Sequence, residues 1–289
     1  MSRNVRITRV TAAFSRPWPG GPRFRARFLA LLCLRFLLVL MIVPARTETL
    51  TVAAAADLTY CLPEVDQAFQ GQHAGVEVRL STGSSGNFFA QIQNGAPFDV
   101  FLSADLHYPQ ELIKSGDAIP DSVFIYGSGR LVLWTNKPQA VDLTRGLEAL
   151  RDTRTVQKVA IANPEHAPYG RAAKAALQKA GLWDEIQPRL VVGENIAQTL
   201  QYVETQNADV GLVALALVLS PRLGGTGKYA EVDDRLYPPL NQAAVITRHG
   251  SEKAVAKAYL EFLRSTAARG IFDKYGFKPP VGDQPNSPR

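Results

Sequence analysis

The sequence predicts an α/β fold of two lobes joined by crossing strands. Three observations predict it. Short apolar runs alternate with amphipathic helical stretches, the pattern of parallel strands with helical crossovers. A length of 289 residues corresponds to roughly two domains at about 100–200 residues each. No Pro/Gly-rich linker separates two contiguous halves, so strands near 131–134 and 243–247 are the candidate crossings. The expected lobes are 46–129 plus 242–289, and 130–241.

Residues 50–55 (LTVAAA) form an apolar run fit for a buried strand. Asp57 follows as a helix N-cap type, ahead of Leu58, Leu62, Val65 and Phe69 at helical spacing. Residues 76–80 (VEVRL) alternate as a strand and run into the small-residue loop 81–86 (STGSSG); Phe88 and Ile92 then continue as a helix. Further strands are expected at 98–102, at 131–134 after Gly127-Ser128-Gly129, and at 158–162, 190–192, 210–213 and 243–247. Helices are expected after Pro168-Tyr169-Gly170, with Gly181 as the stop, after Glu194-Asn195, and over 251–267.

Composition fits a globular chain, 46% apolar and 20% charged. The net charge of +6 suggests nucleic acid, but its source is local. Residues 1–45 hold eight Arg and no Lys, Asp or Glu; the remainder has 24 basic and 26 acidic side chains, a net −2. That remainder has no electrostatic reason to bind a phosphate backbone. The Arg-rich start, the apolar run 28–44 broken only by Arg35, and Val43-Pro44-Ala45 read as a signal peptide cut near Ala45. Arg35 splits the run below the about 20 residues of a membrane anchor. Cleavage leaves Cys61 as the one cysteine, so an apolar core and not a disulfide must hold the exported chain together.

Several chemistries lack their residues. Residues 224–228 (GGTGK) resemble a phosphate-binding loop, yet Arg222 replaces the first Gly and Tyr229 the final Ser/Thr. Gly83-Ser84-Ser85-Gly86 is one residue short of a nucleophile elbow. The four His are not spaced as metal ligands, and no carboxylate pair stands out as acid and base. What recurs is a strand, a short loop of small or polar residues, then a helix: at Ala56-Asp57, Ser84-Ser85-Gly86, Pro168-Tyr169-Gly170 and Glu194-Asn195-Ile196. Converging helix starts would bind an anion through N–H groups without Lys or Arg. Ordinary helix capping gives the same pattern, and the pattern alone does not separate the two.

At these loops the sequence resembles the periplasmic molybdate-binding proteins of ABC uptake systems. The segments are VAAAADLT (52–59), TGSSGNFFAQI (82–92), GAPFDVFLSAD (95–105), ANPEHAPYG (162–170), ENIAQTLQYVE (194–204) and IFDKYGF (271–277), in the family's order. The resemblance implies a type II periplasmic-binding-protein fold with a ligand cleft between its lobes. It implies capture of molybdate, and tungstate too, for delivery to a membrane ABC permease. The implied protein is a periplasmic monomer, not an enzyme, with no nucleic-acid partner and no cofactor beyond the ligand. Carried across, the molybdate contacts fall on Asp57, Ser85, Tyr169 and Ile196, with molybdenum held as its oxyanion through these residues. A Tyr that some members place after the Gly-Leu/Ile-Val strand falls on Ala214; the Tyr169 phenol is expected to supply that donor from the other wall.

Asp57 departs from the family's hydroxyl. An ionised carboxylate would repel a dianion, so it is expected to offer its N–H to the ligand and turn its carboxylate to cap its own helix. Taking a proton from the ligand, which suits hydrogen phosphate, and direct coordination of the metal centre are the alternatives. The competing readings of function are a binder of another oxyanion, phosphate or sulfate, and an exported hydrolase using Ser84 or Ser85 without an evident His or Asp partner. The effector domain of a regulator is opposed by the export signal.

Overall fold

A computed structural model describes residues 47–280. The expected signal peptide at 1–45 lies outside the described residues. Among the described residues ten strands form two five-stranded mixed sheets. The first has the order β2-β1-β3-β10-β4, with β1 Glu48–Ala55, β2 Val76–Gly83, β3 Val100–Ser103, β4 Phe124–Gly129 and β10 Leu240–Ile246. The second has the order β7-β6-β8-β5-β9, with β5 Leu131–Thr135, β6 Val159–Ala162, β7 Leu190–Gly193, β8 Val210–Ala214 and β9 Lys228–Glu231.

The expectation of parallel strands holds for part of each sheet. β1 pairs in parallel with β2 and β3, and β6 with β7 and β8. β10 runs antiparallel to β3 and β4, and β5 antiparallel to β8 and β9. These are the strands beside the passages between sheets, and passage reverses their direction. Arg130 alone separates β4 from β5, and a 3-10 turn at Asp234–Leu236 lies between β9 and β10.

The period of two along the first sheet divides its core into two layers. Leu50, Val52 and Ala54 of β1, with Val100 and Leu102 of β3, pack with Leu62, Val65 and Phe69 of the helix Leu62–Gln72 and with Tyr259 and Phe272 near the C-terminus. Ala53, Phe101, Ala243 and Val245, the alternate positions, pack with Phe88, Ile92 and Leu112 on the opposite face. β5, β6 and β8 are buried along their whole length in the second core. Each fully buried aliphatic or aromatic side chain contributes about 1.5–3 kcal/mol, which suffices without a disulfide.

Two expectations shift. The helix after Asp57 is a short 3-10 turn, Ala56–Leu58, and the α-helix proper starts at Leu62 with Pro63 in its first turn. The helix expected over 251–267 is two, Ala254–Arg264 and Thr266–Lys274, because Ser265 adopts an extended conformation and caps the second through the Ala268 N–H. The segment 224–228 is turn at Gly224 and Gly225 and irregular through Gly227, with all three glycines at positive φ, before β9 starts at Lys228. Among the described residues no helix is long and apolar enough to cross a membrane.

Candidate functional site

The four recurring loops all lie at the carboxyl ends of parallel strands, where open α/β sheets place ligands. β1 leads to Asp57, β2 to the helix Ser85–Gln93, β6 to the helix Pro168–Lys179 and β7 to the helix Ile196–Glu204. The first two belong to one sheet and the last two to the other. They meet around one small cavity of about 10 Å³, lined by Asp57, Ser84, Ser85, Tyr169, Asn195 and Ile196 among others. The four residues singled out from sequence therefore share one pocket. No Lys or Arg is among its lining residues. Among the described residues no group of His, Cys, Asp and Glu is placed to hold a metal ion.

The helix starts are built so that side chains cap the second and third N–H groups. Ser84 Oγ accepts from the Asn87 N–H at 3.2 Å, and Asn195 Oδ1 accepts from the Ala197 and Gln198 N–H groups, both at 3.0 Å. The Ser85 and Ile196 N–H groups fall outside those caps. Ser85 Oγ accepts from the Ala104 N–H at 3.0 Å, which fixes the oxygen and leaves the hydroxyl hydrogen to donate elsewhere. Ala167, before Pro168, gives no side-chain cap.

Asp57 does not behave as expected. It is 1% exposed, and its carboxyl does not turn to the next helix as a cap. Instead Oδ2 accepts a hydrogen bond from Gln242 Nε2, and the Tyr169 hydroxyl also bonds to the carboxyl. Gln242 sits in β10, and Ala56–Leu58 is too short a turn to need the side chain. Gln242 Nε2 also lies 3.2 Å from the Tyr169 hydroxyl, and its Oε1 accepts from the Tyr126 hydroxyl at 2.7 Å. One buried amide thus joins Tyr126 and Asp57 of the first sheet's side to Tyr169 of the second. Burial pushes the Asp57 carboxyl up to about 6, partly offset by the bonds from Gln242 and Tyr169. Burial, together with Asp57, holds the Tyr169 phenol well above its ordinary value, so it stays protonated. Ala214 is buried at the end of β8 and supplies no hydroxyl.

Across the cleft mouth the two sides touch directly. The Gly86 N–H donates to the His166 carbonyl at 2.9 Å, and the Tyr108 hydroxyl approaches the same carbonyl at 3.3 Å. Arg171 pairs with Asp105 and donates to the Tyr108 hydroxyl at 3.0 Å; Asn87 Nδ2 donates to Glu194 at 2.5 Å. Ser84 does have a histidine neighbour: its Oγ lies 2.8 Å from His166 Nδ1, and His166 Nε2 is 3.8 Å from Glu194. The same oxygen accepts the helix-cap bond from the Asn87 N–H, which leaves its hydrogen for the histidine ring. Sequence reasoning missed Gln242, Tyr126 and His166. The signal for Gln242 was present, an amide beside Asn241 at the head of the apolar run of β10; the His166 contact joins positions 82 residues apart and left no local trace.

The family described as bacterial extracellular solute-binding protein matches residues 50–278. The molybdate-binding protein ModA of Rhodobacter capsulatus is 41% identical over 234 residues, covering 81% of this chain and 90% of that protein. The solved periplasmic molybdate-binding protein of Azotobacter vinelandii superposes with a TM-score of 0.75 at 35% identity, over 80% of this chain and all of that one. The substrate-binding domain of a putative molybdenum ABC transporter from Clostridium difficile superposes with a TM-score of 0.62 at 25% identity, over 81% of this chain and 100% of that one.

Proposed function

Because the chain belongs to the bacterial extracellular solute-binding proteins, we propose that it captures molybdate in this cavity and hands it to an ABC permease. Tungstate is taken as an equivalent ligand. The observation that carries the reading is the convergence of Ser85, Tyr169, Ile196 and Asp57 on a pocket without a cation. Uncharged donors suit a tetrahedral dianion when N–H groups at helix starts and hydroxyls replace its water. Discrimination against sulfate then rests on cavity size, since both anions ask for the same donors. Residues 46–129 and 242–289 act as one lobe and 130–241 as the other, and closure on the ligand is the state the permease reads.

The chain works as a monomeric binder in the periplasm, with no cofactor besides the ligand and no nucleic-acid partner. It is not a catalyst: Ser84 and His166 come from opposite walls and hold them together. Competition calorimetry with molybdate, tungstate, sulfate and phosphate tests the proposal. Tight binding of the first two with weak binding of the others supports it. Preference for sulfate or phosphate, or turnover of an ester panel, overturns it.

A further inference from the structure

Asp57 has a more specific role at this cavity, one that rests on the cavity being an oxyanion site. We propose that Asp57 meets the bound oxyanion as a neutral carboxylic acid, donating from Oδ1 to a ligand oxygen, so that binding at neutral and alkaline pH takes up a proton from solvent.

The geometry of the carboxyl group asks for this. Both oxygens are out of water, and only Oδ2 has a partner; Oδ1 is buried and makes no hydrogen bond among the described residues. An ionised carboxylate is acceptor-only and would waste that oxygen, whereas a protonated one becomes a donor there. Asp57 lines the cavity, so Oδ1 is the oxygen left for the ligand. A buried carboxylic acid kept neutral by an apolar site is a known way to donate to a developing or full negative charge.

No cation lines the cavity to hold Asp57 ionised, and burial outweighs the bonds it accepts. The elements packed against its turn are β2, which brings Gly83 to the cavity, the helix Ile196–Glu204, which brings Ile196 and its cap Asn195, and the wholly apolar short helix Leu215–Val218. β10 contributes Gln242, and the helix Pro168–Lys179 contributes Tyr169. None of these carries a charge. The titratable neighbours are the Tyr126 and Tyr169 phenols and the Cys61 thiol, all pushed upward by burial first and by Asp57 next, hence neutral. Asp105 is already paired with Arg171. Burial has lifted the Asp57 carboxyl to about 6 before any ligand is present. A dianion in contact adds like-charge repulsion, which lifts it further.

The sign of the pH dependence follows. Below about 6 the free site already holds its proton, and affinity is flat. Above it the free site is ionised, the bound site is not, and the dissociation constant rises by about tenfold per pH unit. Calorimetric titration of the wild-type chain with sodium molybdate at pH 8, in two buffers of different ionisation enthalpy, should read uptake of about one proton. Its dissociation constant should rise about tenfold from pH 7 to pH 8. Asp57→Asn, which donates from its amide at every pH, should take up none, bind with a pH-independent constant, and at pH 8 bind no more weakly than wild type. Wild-type binding without proton uptake and with a flat constant overturns the inference while leaving the oxyanion site standing. If wild type fails to bind molybdate between pH 6 and pH 8, the site reading falls and this inference with it. The wild-type proton count decides the matter even if the Asn variant folds poorly.

Discussion

Gly86→Ala should damage ligand binding without damaging the fold. Gly86 lies in the first turn of the helix Ser85–Gln93, and its N–H reaches the His166 carbonyl on the other side of the cleft. A Cβ placed there would sit 2.6 Å from that carbonyl oxygen, 2.6 Å from the Tyr108 hydroxyl and 2.7 Å from His166 Cβ. The hydroxyl can turn away, but the carbonyl is backbone. Ordinary carbon–oxygen contacts are about 3.3–3.6 Å, so the walls must part by roughly 0.7–1 Å. Overpacking of this kind costs about 1–3 kcal/mol, and the stretched hydrogen bond about 1 kcal/mol more. Together they weaken the ligand-bound closed form by about 2–4 kcal/mol, about 30- to 1000-fold in affinity. Each half keeps its own packing, and Ala is the better helix former by about 0.5–1 kcal/mol. Calorimetry with molybdate and a thermal melt of the ligand-free chain separate the two effects. An affinity within threefold of wild type would refute the claim that these walls must touch to hold the ligand.

Three further outcomes follow from buried groups. Asp99 accepts from the Thr51 N–H at 2.8 Å, from Lys253 at 2.8 Å and from His249 Nδ1 at 2.7 Å; burial pulls its carboxyl upward, and these partners more than offset it, so it ends below the ordinary range. Its contribution is present above about pH 4 and lost as pH falls further. Asp99→Asn should therefore lower Tm by several degrees at pH 7 and by much less near pH 3; equal losses at both would contradict it. Asp66 is the opposite case. Burial, partly offset by the Tyr259 hydroxyl at 2.6 Å, raises it to about 7, so the folded state keeps a proton the unfolded chain releases near pH 4. Stability falls between those values, and Asp66→Asn should raise Tm more at pH 8 than at pH 4, read by calorimetry. Cys61 is fully buried, and burial with Asp57 and Glu64 nearby holds its thiol far above the ordinary value. A disulfide reagent should label it only on unfolding, and rapid native labelling would show the site to be open.

Much of the fold was legible because its signals are local. β1, β5, β6 and β8 announce themselves as apolar runs, and the loops that end the parallel strands by their small or polar residues. β4 was hidden, since Gly127-Ser128-Gly129 reads as a loop. Its glycines answer to distant neighbours: a Cβ on Gly127 would lie 3.3 Å from Phe277, and one on Gly129 would lie 2.2 Å from the Tyr169 hydroxyl. β9, with Lys228, Tyr229 and Glu231 exposed, is an edge strand without apolar alternation. The reversed direction of β5 and β10 was beyond any local pattern, because it is set by which sheet the chain has just left.

The same contrast explains Asp57. Its neighbours in sequence suggest a helix cap, and the chemistry of an N-cap residue supports that. The actual partner, Gln242, is 185 residues away and reaches it because β10 returns to the first sheet beside β4. Gly129, the last residue of β4 before Arg130 and the second sheet, is where the absence of a side chain lets the Tyr169 hydroxyl and the Gln242 amide approach. The passage between the sheets and the carboxyl group at the cavity are therefore parts of one hydrogen-bonded unit. A larger residue at position 129 would push on Tyr169 and Gln242 together, and through Gln242 on Asp57. The carboxyl that sequence alone placed awkwardly against an anion is held by the strand that joins the two halves, and its chemistry cannot be read apart from that strand.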